Sequence, residues 1–243
     1  MNFLLVNDDG IYSPGILALA EVASEFGRVI ILAPNMEQSS MSHAITSTRP
    51  LSYISTPVKD FEAYRVNGTP ADCVALGTYL WPDTDMVLSG INLGLNIGTA
   101  LWHSGTLAAA KQAVLLGYRG IALSTDTRLK EYSLEDQKPF VKKALEIAFE
   151  QEMDLININF PQKPEGFMWT RQSIRHYDGK MVPGEDPRGK KHYWFTVVPI
   201  EATEEGTDRW AIEHNQCSLT PLRLDLTSHN ELSNIREKEI EYR

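Results

Sequence analysis

Short apolar segments recur along the first 160 residues and predict buried β-strands. Five runs have strand length, and most show no alternation between apolar and polar positions: Phe3–Val6, Arg28–Ala33, Met86–Leu88, Gly120–Ser124 and Leu155–Phe160. Continuously apolar strands are typical of a sheet that is covered on both faces. We therefore expect a central sheet with helices on each side.

Helical patterns separate these strands and carry the usual boundary residues. Pro near the first helical position and Gly just beyond the last one are common helix signals. The predicted helices are Pro14–Phe26, Pro70–Leu80, Gly105–Leu116 and Leu134–Gln151. Alternation of strand and helix predicts a doubly wound α/β sheet, in which ligands bind beyond the carboxyl ends of the strands.

The pattern changes after Pro161 to short β-prone pieces separated by Gly, Pro and charged residues. These pieces are Phe167–Gln172, His192–Val198 and Ser218–Leu222, and a charged tail from Asn230 to Arg243 is predicted to be helical. Too few apolar segments occur here for an independent core, and β-prone pieces offer edges that pair with another subunit.

We therefore expect a single domain over residues 1–243. Residues 1–160 form its α/β core with the active site, and residues 161–243 form a β-rich extension and a C-terminal helix used in oligomerisation. A homodimer or homotetramer is the expected assembly.

Composition and charge narrow the class of ligand. The net charge is −9 and the pI is near 5.2, so no basic surface is expected for duplex DNA or RNA. A small anion is still compatible, because a bound cation inverts the local field. Cys73 and Cys217 are far apart and form no paired motif, which indicates reduced thiols in a cytoplasmic protein. No signal peptide or membrane-spanning stretch is expected.

The first candidate site is Asn7-Asp8-Asp9-Gly10, directly after the first predicted strand. Adjacent carboxylates raise each other's pKa unless a cation neutralises them, and Mg²⁺ and Mn²⁺ prefer oxygen ligands. The alternative is an Asp-Gly turn in which the first carboxylate caps the following helix.

The loop that follows the second predicted strand is rich in serine. Ser39 offers a neutral oxygen ligand, and Ser40, Ser42 and His43 offer hydrogen-bond donors to phosphate oxygens or to a reacting water. In a parallel sheet this loop opens on the same edge as the two aspartates. A solvated turn without function is the alternative.

Two further segments favour an anion. Ser89–Gly98 contains three glycines and two asparagines, so that backbone amides can approach a phosphate closely, with Asn92 as a metal ligand and Asn96 as a phosphate ligand. It matches neither a P-loop nor a dinucleotide-binding motif. His103-Ser104-Gly105-Thr106 opens a helix whose dipole favours an anion, unless Ser104 or Thr106 is only an N-cap.

Together these loops predict metal-assisted hydrolysis of a phosphate monoester. A cation polarises the phosphoryl group and activates water, while amides and asparagine side chains stabilise charge on the phosphoryl oxygens. The expected catalytic residues are Asp8, Asp9 and Asn96.

Blocks of this sequence resemble, in order and spacing, the SurE survival-protein nucleotidases. They are Asn7-Asp8-Asp9-Gly10, Ser39, Gly68-Thr69-Pro70-Ala71-Asp72-Cys73, Ser89-Gly90-Ile91-Asn92, Gly94, Asn96, Gly98, Ser104-Gly105-Thr106, Thr170-Arg171-Gln172-Ser173 and Ser218-Leu219-Thr220-Pro221-Leu222. The resemblance extends from Met1 to about Leu222.

This resemblance implies a three-layer, Rossmann-like α/β/α sandwich with a β-rich C-terminal extension. It implies hydrolysis of nucleoside 5′-monophosphates, with 3′-monophosphates and short polyphosphate as further substrates. It also implies one Mg²⁺ or Mn²⁺ per subunit and dimers or tetramers that exchange C-terminal segments.

Carried over by position, the metal ligands fall on four residues: Asp8, Asp9, Ser39 and Asn92. The phosphate or substrate ligands fall on Asn96, Gly98, Ser104, Gly105, Thr106, Ser40 and His43. Leu93 stands where relatives often carry a basic or polar residue, and Gln112 where they often carry Glu.

Two other classes of protein share parts of this pattern. A haloacid-dehalogenase phosphatase also places aspartates after its first strand, but they are separated by one residue, whereas Asp8 and Asp9 are adjacent. A nucleotide-binding regulatory protein needs only the Gly/Asn loop. Paired carboxylates without a metal repel a phosphate ligand, which favours the metal-dependent enzyme.

Overall fold

A computed structural model describes residues 1–127, 133–174, 178–198 and 203–236. Within these ranges nine strands form one mixed sheet, and two further strands form a separate antiparallel hairpin. The elements in chain order are β1 (Asn2–Val6), α1 (Pro14–Ala23), β2 (Arg28–Pro34), β3 (Tyr53–Ser55), β4 (Glu62–Val66), α2 (Pro70–Leu80), β5 (Met86–Leu93), a 3₁₀ helix (Gly98–Trp102), α3 (Gly105–Leu115), β6 (Arg119–Thr125), α4 (Leu134–Phe149), β7 (Leu155–Phe160), β8 (Gly166–Trp169), β9 (Asp178–Glu185), β10 (Lys191–Val198), α5 (Asp208–Glu213), β11 (Gln216–Pro221) and α6 (His229–Arg236).

The strand order places the end of β1 at the centre of the sheet. The order is β3-β4-β2-β1-β5-β6-β7-β11-β8, and the six strands from β4 to β7 run parallel. The chain moves outward from β1 through β2 and β4 and then returns to add β5 on the other side. Such a reversal opens a crevice at the carboxyl ends of the strands.

Helices cover both faces of the sheet, which confirms the three-layer α/β/α architecture. Phe3 and Leu5 of β1 pack in one core with α1 and α4, whereas Leu4 and Val6 pack in a second core with α2 and α3. Successive side chains of a strand point to opposite faces, so β1 contributes to both cores.

All five predicted central strands are present, but the apolar-run criterion missed the strands near the edges. β3 and β4 carry exposed or partly exposed side chains because they lie at or next to the edge of the sheet. The segment predicted as Phe167–Gln172 ends as a strand at Trp169. The predicted helical tail is confirmed for α6, and residues 237–243 lie outside the described part of the chain.

The C-terminal extension is β-rich, as expected, and part of it completes the central sheet. β11 pairs antiparallel with β7, and β8 pairs parallel with β11. β9 and β10 form a separate two-stranded sheet. No helix among the described residues combines the length and the apolar character needed to cross a membrane.

Candidate active site

The two aspartates lie where β1 ends and the chain turns toward α1. The Asn7 side chain stabilises this turn through two hydrogen bonds to the Gly10 backbone. Its Nδ2 donates to the Gly10 carbonyl (2.9 Å), and its Oδ1 accepts from the Gly10 N–H (3.1 Å). Neither aspartate is the N-cap of α1. That role belongs to Ser13, whose side chain accepts from the Gly15 N–H, so the Asp-cap alternative is wrong.

Asp8 is buried at the start of α3. The Thr106 hydroxyl donates to its Oδ1 at 2.7 Å. Gly105 makes this approach possible, because a β-carbon at this position would lie 2.8 Å from the Asp8 Cβ and 2.9 Å from its Oδ2. The N-terminus of α3 therefore rests directly against the Asp8 carboxylate, where the helix dipole favours negative charge.

Burial raises the pKa of Asp8 to about 6, with hydrogen bonds from Thr106 acting in the opposite direction and the Asp9 charge raising it further. Asp9 is half-buried, and its Oδ2 accepts from the Leu93 N–H at 3.1 Å. Burial and the nearby Glu37 charge raise the pKa of Asp9 as well. The pair therefore concentrates negative charge that the surrounding protein only partly stabilises.

The serine-rich loop after β2 folds over the same edge of the sheet. The Gln38 N–H donates to the Asp8 carbonyl at 2.7 Å, which ties the loop to the end of β1. Ser39 donates through Oγ to Glu37 Oε1 at 2.7 Å. His43 turns away toward α3, where its Nε2 lies 2.8 Å from Gln112 Oε1. Because that oxygen only accepts, Nε2 of His43 is the donor in this pair.

Asn92 lies at the end of β5, next to Asp9 and Leu93. Its Nδ2 donates to the Gly94 carbonyl at 2.7 Å, which leaves Oδ1 as the side-chain atom available to a metal. A register shift between Ser89 and Asn92 interrupts the pairing of β5 with β6 just before this residue. Such a bulge re-aims side chains next to active sites.

Asn96 is the first member of a buried hydrogen-bond chain. Its Nδ2 donates to Thr106 Oγ1 at 3.2 Å and to Ser124 Oγ at 2.9 Å, and Thr106 in turn donates to Asp8. Both amide hydrogens of Asn96 are therefore used within the protein, and the residue orients Asp8 through Thr106. Its role as a direct phosphate ligand stays a prediction.

Two asparagines of β7 hold the backbone of the same loop. Asn159 Oδ1 accepts from the Asn96 N–H at 2.8 Å, and the Nδ2 atoms of Asn157 and Asn159 donate to the Asn96 carbonyl at 2.8 and 3.0 Å. The sequence pattern predicts this segment only as a buried strand. Polar side chains at alternate positions of a buried strand were the available signal, since buried polar groups need partners.

Two side chains of the C-terminal extension form hydrogen bonds with the backbone of Gly98, which begins the 3₁₀ helix. Asp208 Oδ2 accepts from the Gly98 N–H at 2.8 Å, and Gln172 Nε2 donates to the Gly98 carbonyl at 2.8 Å. Gly98 has a φ of +57°, and a β-carbon there would lie 3.2 Å from the Ser173 carbonyl oxygen. Neither Asp208 nor Gln172 was predicted to support the site.

These loops enclose a cavity of about 1070 Å³ at the carboxyl ends of β1, β2 and β5. Seven predicted site residues line it: Asp8, Asp9, Ser39, Ser40, Asn92, Asn96 and Ser104. Ser104 is also the N-cap of α3, where its Oγ accepts from the Leu107 N–H at 3.0 Å. The convergence of the four loops is therefore confirmed as geometry.

Four predicted phosphate ligands do not line the cavity: Gly98, Gly105, Thr106 and His43. Gly98, Thr106 and His43 form hydrogen bonds within the protein, and Gly105 packs closely against Asp8. The other lining residues were not predicted as site residues: Glu37, Leu93, Leu95, Thr99, Ala100, Trp102, His103 and Phe195.

The oxygen chemistry of the cavity suits a hard divalent cation. Two carboxylates, a serine and an asparagine line this one cavity, and their side-chain oxygens are the ligand types that Mg²⁺ and Mn²⁺ accept. No group of three or more His, Cys, Asp or Glu side chains that could hold a metal occurs in the described part of the chain. A cation at Asp8 and Asp9 would therefore depend on neutral ligands as well.

Comparison with known proteins identifies the family of this chain. The family model described as Survival protein SurE matches residues 3–179. The 5′-nucleotidase SurE 1 of Thermus thermophilus is 43% identical over 236 residues, which cover 94% of this chain and 94% of that protein. The chain belongs to the SurE family. The 5′-nucleotidase SurE of Deinococcus radiodurans is 39% identical over 237 residues, covering 93% of this chain and 88% of that protein.

A solved SurE structure supports the same assignment. The crystal structure of the SurE protein from Aquifex aeolicus superimposes with a TM-score of 0.84 at 36% identity. The match covers 98% of this chain and 99% of that chain. The SurE fold therefore includes the C-terminal extension and not only the α/β core.

Proposed function

We propose that this SurE-family chain is a divalent-metal-dependent phosphatase that hydrolyses nucleoside 5′-monophosphates. The observation that carries the proposal is the pair Asp8 and Asp9, whose carboxyl groups have raised pKa values in one cavity of ligand size. Perturbed carboxyl groups in a cleft are common at catalytic sites. The relatives from Thermus thermophilus and Deinococcus radiodurans, both named 5′-nucleotidases, support the reaction.

The proposed ligands of the cation are Asp8, Asp9, Ser39 and Asn92. The electrostatic cost of the aspartate pair argues for positive charge at this point, because no basic side chain in the described part of the chain lowers the pKa of either aspartate. When bound, such a cation supplies positive charge that polarises phosphoryl oxygens and favours ionisation of water.

The residues around the pair hold it in place. Thr106 and the Leu93 N–H each donate to one of the two carboxylates, which limits their rotation. Asn96 fixes the Thr106 hydroxyl in turn. Ser40 and Ser104 line the same cavity as Asp8 and are the remaining candidates among the predicted residues for contact with a phosphate.

Removal of the metal tests the proposal. We expect purified protein with AMP and Mn²⁺ to release inorganic phosphate, EDTA to abolish release, and excess Mn²⁺ or Mg²⁺ to restore it. Parallel reactions with 3′-AMP and tripolyphosphate measure the two further substrate classes. Undiminished turnover of AMP in EDTA, after exhaustive dialysis, would contradict a metal-dependent reaction.

We also propose that the chain assembles as a homodimer or homotetramer through the hairpin of β9 and β10. Met181, Tyr193 and Trp194 on this hairpin are 59%, 60% and 66% exposed, an apolar surface that favours association. Light scattering is expected to give an even multiple of the 27.3 kDa chain mass. Trp194→Glu is expected to shift it to a smaller species. A wild-type monomer at micromolar concentration would exclude the assembly.

A further inference from the structure

The C-terminal extension reaches the wall of the cavity through a buried carboxylate, that of Asp208. This residue is fully buried in the first turn of α5. Its Oδ2 accepts from the Gly98 N–H at 2.8 Å, and its Oδ1 accepts from the N–H groups of Ser173 (3.0 Å) and Arg209 (2.8 Å). One side chain therefore joins the backbone of the loop after β5 to two backbone groups of the extension.

These contacts are charge-assisted hydrogen bonds in a buried setting. Burial raises the pKa of Asp208, whereas the N–H donors and the Arg209 charge lower it. Hydrogen bonds to an ionised acceptor are shorter and stronger than those between neutral groups. The position of the Gly98 N–H is therefore fixed by a strong acceptor that belongs to another part of the chain.

The extension also holds the carbonyl of Gly98. Gln172 Nε2 donates to this oxygen at 2.8 Å. Gln172 and Ser173 belong to the block Thr170–Ser173, which has no other part in the proposed reaction. Both backbone polar groups of one loop residue are thus bound by side chains of the extension.

Gly98 is the point at which support of the loop passes from the α/β core to the extension. The backbone of Asn96, two residues earlier, is held by asparagine side chains of β7. The 3₁₀ helix that begins at Gly98 contributes Thr99 and Ala100 to the cavity lining. Loss of the bond from Asp208 would therefore displace this helix, while the four proposed metal ligands lie outside it.

We infer that Asp208 is a positioning residue of the active site, which fixes the 3₁₀ helix in the cavity wall through the Gly98 N–H. This inference rests on the proposed function and adds a residue of the C-terminal extension to the support of the site. It also gives the block Thr170–Ser173 a role, because Gln172 and Ser173 complete the same connection.

Asp208→Asn removes one acceptor and keeps the other. The asparagine oxygen accepts from Ser173 and Arg209 as before, and its NH₂ group then faces the Gly98 N–H, where two donors repel each other. The opposite orientation would leave two buried N–H groups without an acceptor instead of one, which is the costlier arrangement. The substitution therefore acts on Gly98 and preserves the contacts inside the extension.

We expect Asp208→Asn to lower kcat/KM for AMP in Mn²⁺ by about 100-fold, the loss that follows from misplacement of a site by about 1 Å. Most of this loss should lie in KM, because the displaced helix lines the cavity and the metal ligands keep their places. Calorimetric titration should accordingly give the wild-type affinity for Mn²⁺.

Thr207→Ala is the matched control, because it acts on the same helix without contact to Gly98. Thr207 is the N-cap of α5, and its side chain accepts from the Trp210 N–H at 3.2 Å. Loss of a cap destabilises a helix, so this variant should unfold at a lower temperature than the wild type and retain the wild-type kcat/KM.

Gln172→Met is a second variant that leaves Asp208 intact. It removes the donor to the Gly98 carbonyl and keeps the length of the side chain. This variant should raise the KM for AMP in the same direction as Asp208→Asn, and it carries the test if Asp208→Asn does not fold.

Hydrogen exchange measured by mass spectrometry follows the loop without any need for activity. Residues 98–102 should exchange faster in Asp208→Asn than in the wild type, and Thr207→Ala should exchange faster only in α5. Unchanged exchange at residues 98–102 in Asp208→Asn would overturn the inference.

The kinetic outcomes separate this inference from the proposed function. Equal losses in Asp208→Asn and Thr207→Ala would show that Asp208 only stabilises the extension, and wild-type KM values in both Asp208→Asn and Gln172→Met would show that Gly98 needs no such support. Either result would overturn the inference. If the wild-type protein with Mn²⁺ does not hydrolyse AMP, the proposed function fails instead, and the exchange comparison decides the role of Asp208.

Discussion

Asp8→Asn is expected to lower kcat/KM for AMP by about three orders of magnitude while the fold is kept. The substitution preserves the side-chain volume and an oxygen acceptor for the Thr106 hydroxyl, so the only large change is the lost negative charge. A bound metal contributes several kcal/mol to stabilisation of the transition state, and each 1.36 kcal/mol corresponds to a tenfold change in rate.

Steady-state kinetics with AMP and Mn²⁺, together with calorimetric titration of Mn²⁺, measure this effect. Asp9→Asn should act in the same direction. Asp60→Asn is a suitable control, because it removes an aspartate from an exposed turn away from the cavity. Wild-type rates in both Asp8→Asn and Asp9→Asn would show that the aspartate pair is not the metal site.

Asp8→Asn is also expected to stabilise the metal-free protein at neutral pH by about 3 kcal/mol. The pKa of Asp8 is about 6 in the folded protein against an ordinary value of 3.8, and this difference corresponds to about that free energy. Because the folded chain binds this proton more tightly than the unfolded chain, Asp8 favours folding most below about pH 4. Its contribution is lost as pH rises to about 6.

Urea unfolding in EDTA at pH 4 and pH 7 tests this pH dependence. The unfolding free energies of wild type and Asp8→Asn should be similar at pH 4, and the variant should be the more stable protein at pH 7. Addition of Mn²⁺ at pH 7 should stabilise only the wild type, since binding to the folded state shifts the equilibrium. A difference between the two proteins that is the same at both pH values would contradict the raised pKa.

Both predictions have the same physical origin, because the fold holds two carboxylates close together where their negative charge is destabilising. The apolar side chains of β1 pack in a hydrophobic cluster on each face of the sheet, and this packing fixes the end of the strand that carries Asp8 and Asp9. Functional sites commonly keep such local conflicts, and the rest of the structure compensates for them.

The sequence by itself determined the central architecture and the position of the site. Apolar runs marked the five buried strands, because a strand covered on both faces favours apolar side chains, although Asn157 and Asn159 interrupt the run in β7. Parallel strands end on one edge, so the loops with Asp8, Asp9, Ser39 and Asn92 were correctly expected to converge. The family followed from motifs in these loops together with further blocks such as Gly68–Cys73 and Ser218–Leu222, and the family model confirms it.

Only the tertiary structure decided which atoms are available to a ligand. Thr106 contacts Asp8 across 98 residues, and Asp208 contacts Gly98 across 110 residues. The aromatic rings of Trp102 and Phe195 are likewise far apart along the chain. Local patterns report burial and turns, but a hydrogen bond between distant segments depends on how whole elements pack, and no spacing in the sequence encodes it.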